Sequence, residues 1–433
     1  DTARRGHLVL NAKVFVSVGH DEYWSGEQRR NVEAARDAGV NLMFLAGNNV
    51  YWKIRWEDSF RTMVVYKESQ SISKIDPNLT TWTGTFRDAR AINPEGAWPE
   101  NSLLGSIFTV NAQREDALEV PAVFSRLRFW RSTPVAALPL PVAGLATSSP
   151  VRYVSNKGVL GHEWNEDVDN GFRPAGNIRL SRTEVDSVQY LMDHGGTFDV
   201  GSACHHMTLY RASSSALVFN AGTVQWAWGL DAHHDIDDAP RKNKHSIRVM
   251  ADVQGPDVAV QQATVNMLAD MRVQPAHMLD SLTRAVHSTD VLAPSCIITS
   301  LQAPWENASQ PFWIVQGRAW EHAPTDLPIG VVAGVEVSLD GGARWHPADA
   351  NEELHPAASS VAWKFMCGNE DWHGLYDDMC GMGWKTKMIG ARSKLALLPK
   401  VLCRATDDSV NTGGESSAAH AAEAGHLNHP ELY

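Results

Sequence analysis

Two short stretches of this chain gather side chains that can move protons or hold a metal. The first, Gly19-His20-Asp21-Glu22-Tyr23-Trp24, sets an imidazole, two carboxylates and a phenol side by side directly after a run of β-branched residues. Ionisable groups cluster in this way at the end of a buried strand when they serve general acid–base chemistry or metal ligation. A structural alternative is that Asp21 and Glu22 cap the helix that follows while Tyr23 packs on it. The second stretch, Gly161 to Gly171, places His162, Glu163, Glu166, Asp167 and Asp169 within one short segment. Three readings of it stand: a metal ligand with a nearby base, a calcium loop built on Asp167 and Asp169, or a solvated acidic turn. The spacing departs from the alternate-ligand pattern of an EF-hand.

Other candidates carry less. His205 with His206, and His233 with His234 before Asp235, are adjacent pairs; on a strand their side chains point apart, so each pair offers at most one inward ligand. Cys204 beside His205 lacks the surroundings of a thiol nucleophile. The five cysteines, Cys204, Cys296, Cys367, Cys380 and Cys403, form no CxxC pair and read as buried thiols, with Cys367 and Cys380 the best-placed candidate bridge. With 50 acidic against 38 basic residues and a net charge of −12, the chain lacks the basic stripe that nucleic acid requires. No apolar run approaches the ~20 residues of a membrane span, and the first residues lack a signal peptide's apolar core, so no membrane partner and a cytoplasmic location are expected. The strand beginning at Val14 comes so early that an upstream region is expected in the natural protein, which leaves export open.

The elements that must position these residues can be read from hydrophobic period. Lys13 to Gly19 is a continuous strand pattern; Ser25 has N-cap chemistry; Glu27 to Ala38 carries Val32, Ala35 and Ala38 at helical spacing before Gly39; and Val40 to Ala46 is a second strand. Strand, helix, strand in this order is a βαβ unit, whose strands should be parallel and whose ligands gather beyond their carboxyl ends. Those ends hold the first stretch and Asn48, Asn49, Tyr51 and Trp52. Residues 57–190 read as long excursions that roof a site, Ala216 to Asn220 as a further strand, and Val260 to Met271 as the last helix. The predicted organisation is an α/β domain over 1–275, a linker over 276–292, a β-sandwich over 293–412 built from short runs separated by turns such as Asp340-Gly341-Gly342, and a disordered tail over 413–433.

Five segments bear a family likeness: Val18 to Ser25 (VGHDEYWS), Ala38 to Arg55, Arg61 to Ser69, Gly161 to Gly176 and Leu217 to Asp231. They resemble the large subunit of N,N-dimethylformamidase. The resemblance implies a glutamine amidotransferase-like (flavodoxin-like), mostly parallel α/β sheet with long insertions, and hydrolysis of a small amide, a formamide-type C–N bond. It also implies one ferric iron per chain, with Tyr23, Tyr66 and Glu163 as the matching ligands. Around that ion, His162 or His20 would exchange protons with water and the leaving amine, Asn48 or Asn49 would orient the amide, and Asp21, from the same motif as His20, is expected among the catalytic residues. Trp24, Trp52 and Trp164 would supply an apolar wall. The C-terminal part, through Gly334 to Ala348 and Val401 to Asn411, is similar to the immunoglobulin-like dimerisation domain of sulfite oxidase-type molybdenum enzymes. That likeness implies a homo-oligomer without molybdenum, to which a small accessory subunit could be added. The alternative function is a non-catalytic carbohydrate- or surface-binding protein, motivated by the 16 tryptophans and the appended sandwich.

Overall fold

The computed structural model describes residues 2–140, 151–231, 255–302, 313–322, 330–350, 360–367 and 401–417. The chain enters its first sheet at β1 (Val14–Val18), passes through β2 (Tyr23–Ser25) into helix α1 (Gly26–Asp37), and returns along β3 (Asn41–Leu45). Helix α1 starts where Ser25 Oγ accepts the Gln28 N–H at 3.1 Å. It stops at a left-handed Gly39 (φ 98°), where the N–H groups of Gly39 and Val40 bond back to Arg36 and Ala35. β1 and β3 pair in parallel from Val14↔Asn41 to Val18↔Leu45, as a βαβ unit requires.

Next come β4 (Trp52–Glu57) and β5 (Thr62–Val64), the short helix α2 (Asn101–Leu104) and the long β6 (Ile107–Asp116). β7 (Glu119–Pro121), β8 (Arg152–Val154), β9 (Leu160–Glu166), β10 (Ile178–Arg179), β11 (Thr183–Leu191) and β12 (Phe198–His205) follow. The first part closes with β13 (Thr208–Arg211), β14 (Leu217–Asn220) and helix α3 (Val258–Asp270).

The expectation of a mostly parallel, flavodoxin-like α/β sheet is overturned. The molecule is mostly β, and its sheets are small and mixed or antiparallel. In the central sheet, ordered β1-β3-β14-β13-β10, only the β1/β3 and β3/β14 pairings are parallel. β13 is antiparallel to both its neighbours. Much of the 57–190 region, expected as loop excursions, forms a second, antiparallel sheet ordered β12-β11-β6-β9. The main apolar core lies between the two sheets and α3, around Met43, Val110, Trp164, Phe219, Trp226 and Val260.

The C-terminal strands are β15 (Ser295–Gln302), β16 (Trp313–Trp320), β17 (Val332–Ser338), β18 (His346–Ala350), β19 (Ser360–Cys367), β20 (Leu402–Asp407) and β21 (Thr412–Ser417). They pair antiparallel in the order β15-β16-β19-β18-β17-β20-β21. β21 occupies the start of the segment whose composition suggested a tail. Cys296 on β15 is bridged to Cys403 on β20, against the expectation of free buried thiols. The Cys367–Cys380 pairing, His233, His234 and Asp235 lie outside the described residues or side chains. Among the described residues no helix is long and apolar enough to cross a membrane.

Candidate functional site

The site forms where the loops leaving β1 and β3 are laced together and β9 lies across them. Val50 N–H bonds to Asp21 O at 3.0 Å and the Tyr51 and Trp52 N–H groups to Glu22 O at 2.9 and 3.0 Å, so the two loops run side by side. β9 is fastened to the same place: Asn48 N–H donates to Asn165 Oδ1 at 3.0 Å, Asn165 N–H to Gly222 O at 2.9 Å, and Val224 N–H to Glu163 O at 3.1 Å. Backbone contact this close needs glycine at position 47, where a Cβ would stand 2.8 Å from Glu163 O and 3.0 Å from Gly222 O.

This lacing brings His20, Glu22, Asn48, His162 and Glu163 into one cluster. Glu163 Oε2 takes the Asn48 amide at 2.7 Å and lies 3.0 Å from His20 Nε2. Glu22 Oε2 is 3.8 Å from the same imidazole, and its Oε1 is 3.4 Å from the Asn48 amide. The His20 and His162 rings meet edge-on with centroids 6.2 Å apart. One donor atom from each of His20, His162 and Glu163 lies within 4.8 Å of the other two, a spacing that a single ion could bridge. Several residues hold left-handed backbone: Asn48 (φ 48°), Val50 (φ 58°), Lys67 (φ 51°) and His162 (φ 61°). Non-glycine strain of this kind persists where the surroundings impose it, and it collects at functional sites.

The electrostatics follow from crowding. Burial pushes the Glu22 carboxyl up, and the neighbouring Glu163 charge adds to it, to about 7. Burial would raise Glu163 as well, but the His20 hydrogen bond and charge and the Asn48 amide outweigh it and hold Glu163 below the usual carboxylate range. For His20 burial acts downward, yet the hydrogen bond and charge of Glu163 and the charges of Glu22 and Asp21 raise it. His162, desolvated and facing His20, is lowered. Two imidazoles in one pocket are thus driven in opposite directions, one toward the proton donor and one toward the acceptor.

The remaining expected residues are placed as follows. Asp21 accepts from Ser17 Oγ at 2.7 Å and its backbone N–H donates to Asn49 Oδ1 at 3.3 Å, which braces the end of β1. Tyr23, half-buried on β2 opposite Trp52, lies under the Lys67 ammonium, which is 5.4 Å from its ring and 4.8 Å from that of Trp52. Tyr66, adjacent to Lys67 in the chain, is 40% exposed. Asn49 bonds to Ala46 O and the Asp21 N–H instead of facing the carboxylates. Glu22, Lys67 and Asn165 were not singled out as site residues; Glu22 stood within the first motif, whereas no local pattern marks Lys67 or Asn165.

The second acidic stretch divides. Glu163 belongs to the cluster, while Asp167 is buried under two guanidiniums, Arg173 Nε at 2.8 Å and Arg179 Nε at 2.9 Å. Burial would raise Asp167, but these charges hold it far below the usual range. Asp169 bonds to His346 at 2.6 Å. Neither acid is left for a calcium loop. His205 and His206 are both buried; His205 Nε2 lies 3.1 Å from Ala221 O and His206 Nδ1 takes the Asp167 N–H at 3.3 Å. Cys204 is raised by burial to about 11, which leaves it a poor nucleophile. Among the described residues, Trp24, Trp82, Trp130, Trp164 and Trp226 are fully buried and belong to the core. A separate cleft lined by Phe124, Leu127, Ile178 and Val335 runs between the two parts of the chain and does not include the cluster.

Set beside known families, residues 1–239 match the family described as N,N-dimethylformamidase beta subunit-like, C-terminal. The match covers more than half of the 433 residues. The chain belongs to the N,N-dimethylformamidase beta subunit-like family, which suggests amide hydrolysis. No match was found among curated proteins.

Proposed function

We propose that this chain hydrolyses a small amide, of formamide type, at the pocket formed by His20, Glu22, Asn48, His162 and Glu163. The observation that carries the reading is the Glu163 carboxylate, held at once by His20 and Asn48 beside a second imidazole. Family membership supplies the reaction class.

The resemblance to N,N-dimethylformamidase implies a mononuclear iron, which an oxygen-rich pocket would suit. Two carboxylates, Glu22 and Glu163, crowd the pocket, and Asn48 Oδ1 is a buried acceptor without a hydrogen-bond donor. Tyr23, Tyr66 and Glu163 would hold the ion through hard oxygen ligands. When bound, ferric iron supplies charge that polarises an amide carbonyl and acidifies water. The protein's own residues do the rest. His162 takes the proton from the attacking water, while His20, aligned by Glu163, delivers a proton to the nitrogen as the C–N bond breaks. Asn48 fixes both carboxylates and presents Oδ1 to a donor on water or substrate.

A panel of formamides, acetamides and their N-methyl derivatives, assayed by amine release with iron-loaded protein, tests this reading. Turnover of at least one small amide that falls by at least about a hundredfold in His162→Gln is the expected result. Equal release by wild type and His162→Gln would remove the assigned role.

A further inference from the structure

Away from that pocket, three carboxylates converge where the chain enters its C-terminal sheet. Glu321, just past β16, is only 9% exposed, and its Oε1 has no hydrogen-bond partner. Asp407, at the end of β20, is fully buried, and Asp290 reaches in from the segment that precedes β15. One carboxylate oxygen from each lies within 4.8 Å of the other two. Two oxygens that share a calcium ion at about 2.4 Å stand no more than about 4.8 Å apart, so the three are within reach of one ion.

The surroundings hold these acids in place without neutralising them. Asp407 accepts the Asn411 N–H and side-chain amide, both at 2.8 Å, and Asp290 Oδ1 accepts the Leu292 N–H at 3.0 Å. Asn411 also donates to Asp290 O at 3.2 Å, which fixes the two segments to each other. Asp408, next in the chain, accepts the Arg128 N–H at 2.7 Å. Arg211, the guanidinium whose charge acts on Asp407, gives its Nη2 to Ser409 O at 2.6 Å. Among the described residues none of the three carboxylates is paired with a lysine or arginine. Position 330 is glycine, and a Cβ there would fill the space 3.2 Å from Asp290 Oδ2 and 3.5 Å from Glu321 Cδ.

A buried, unpaired carboxylate aimed at two others is costly unless a cation joins them. We propose that Asp290, Glu321 and Asp407 bind a hard divalent cation, with calcium favoured, which clamps the segment entering the C-terminal sheet to the ends of β16 and β20. Calcium suits an all-oxygen site drawn from irregular segments, because it accepts variable geometry and a high ligand number; magnesium prefers a near-ideal octahedron and retains its waters. This site is independent of the amide-hydrolysing pocket in position, ligands and metal class.

The test uses the full chain, stripped with a chelator and titrated calorimetrically with CaCl2, MgCl2 and MnCl2. The expected result is one saturable calcium site per chain that weakens at least about tenfold in both Glu321→Gln and Asp290→Asn. It persists in Glu163→Gln, and calcium raises the unfolding midpoint of wild type but not of Glu321→Gln. Should Glu321→Gln fail to fold, Asp290→Asn, on a partly exposed residue, carries the comparison. Absence of saturable binding of all three ions overturns the proposal. So does binding that both variants leave unchanged, or a Glu321→Gln that stabilises the chelated protein while wild type gains nothing from calcium, since the carboxylates would then be sharing protons.

Discussion

At the scale of single residues, Glu163 joins the two motifs, since its one carboxylate oxygen meets both His20 and Asn48. Glu163→Gln keeps the shape and removes the charge, and is expected to preserve the fold while abolishing the alignment of His20. Circular dichroism beside an amine-release assay checks both. For the metal, Tyr23→Phe should lose iron measured by elemental analysis, together with the visible phenolate-to-iron absorption; retention of both excludes Tyr23 as a ligand. Away from the pocket, His205 is lowered by burial to about 4, and His206 is lowered strongly by burial and the Arg179 charge. Both folded values lie below the ordinary histidine value of 6.5, so the stability they contribute is complete above 6.5 and is lost as pH falls toward about 4. Urea unfolding midpoints measured from pH 7 to about pH 4 should therefore fall, and less steeply in a folded His205→Gln. Of the candidate site, the two motifs were legible as local clusters of ionisable residues. That Asn48 and Glu163, 115 positions apart, share a hydrogen bond was not, because it depends on sheet packing and not on spacing.

At the scale of elements, the lacing of β9 over the ends of β3 and β14 decides whether the pocket exists. Gly47→Ala puts a methyl group against two backbone oxygens, and since neither can retreat without breaking the lacing, activity should fall together with stability, by about 1–3 kcal/mol. Thermal unfolding and amine release, measured on the same preparation, check this; an unchanged melting point would show that β9 has room to move. The βαβ unit was readable because its strands are continuous apolar runs and its helix has a Ser25 cap and a Gly39 stop. The antiparallel sheet escaped notice for a physical reason. β11 and β12 bury few of their residues, and bulges between Val185 and Val188 and between Asn111 and Glu115 break the two-residue alternation that marks a strand. Once that sheet is present, the molecule cannot be the mostly parallel α/β fold that the βαβ start suggested.

At the scale of the whole molecule, the family-matched part and the C-terminal strands are joined by buried charge. Arg173 bonds to Asp167 on one side and to Glu336 on β17 at 2.7 Å on the other, and Arg404 bonds to the same Glu336. Asp167→Asn takes from Arg179 its carboxylate partner and from the buried Arg173 one of its two, and should cost about 3–5 kcal/mol, read as a lowered urea midpoint. The Cys296–Cys403 bridge spans 107 residues of sequence, so its loss on reduction should cost about 2–4 kcal/mol. None of these contacts has a local signature, and none touches the pocket, so their loss should change stability before chemistry. The most direct test of the central claim is the rate of amine release from a small formamide by iron-loaded wild type and Glu163→Gln at equal concentration. Turnover by wild type that drops by at least about a hundredfold in the variant is the result expected. Folded, iron-loaded wild type that releases no amine, or a variant that matches it, would contradict the assignment of amide hydrolysis to Glu163.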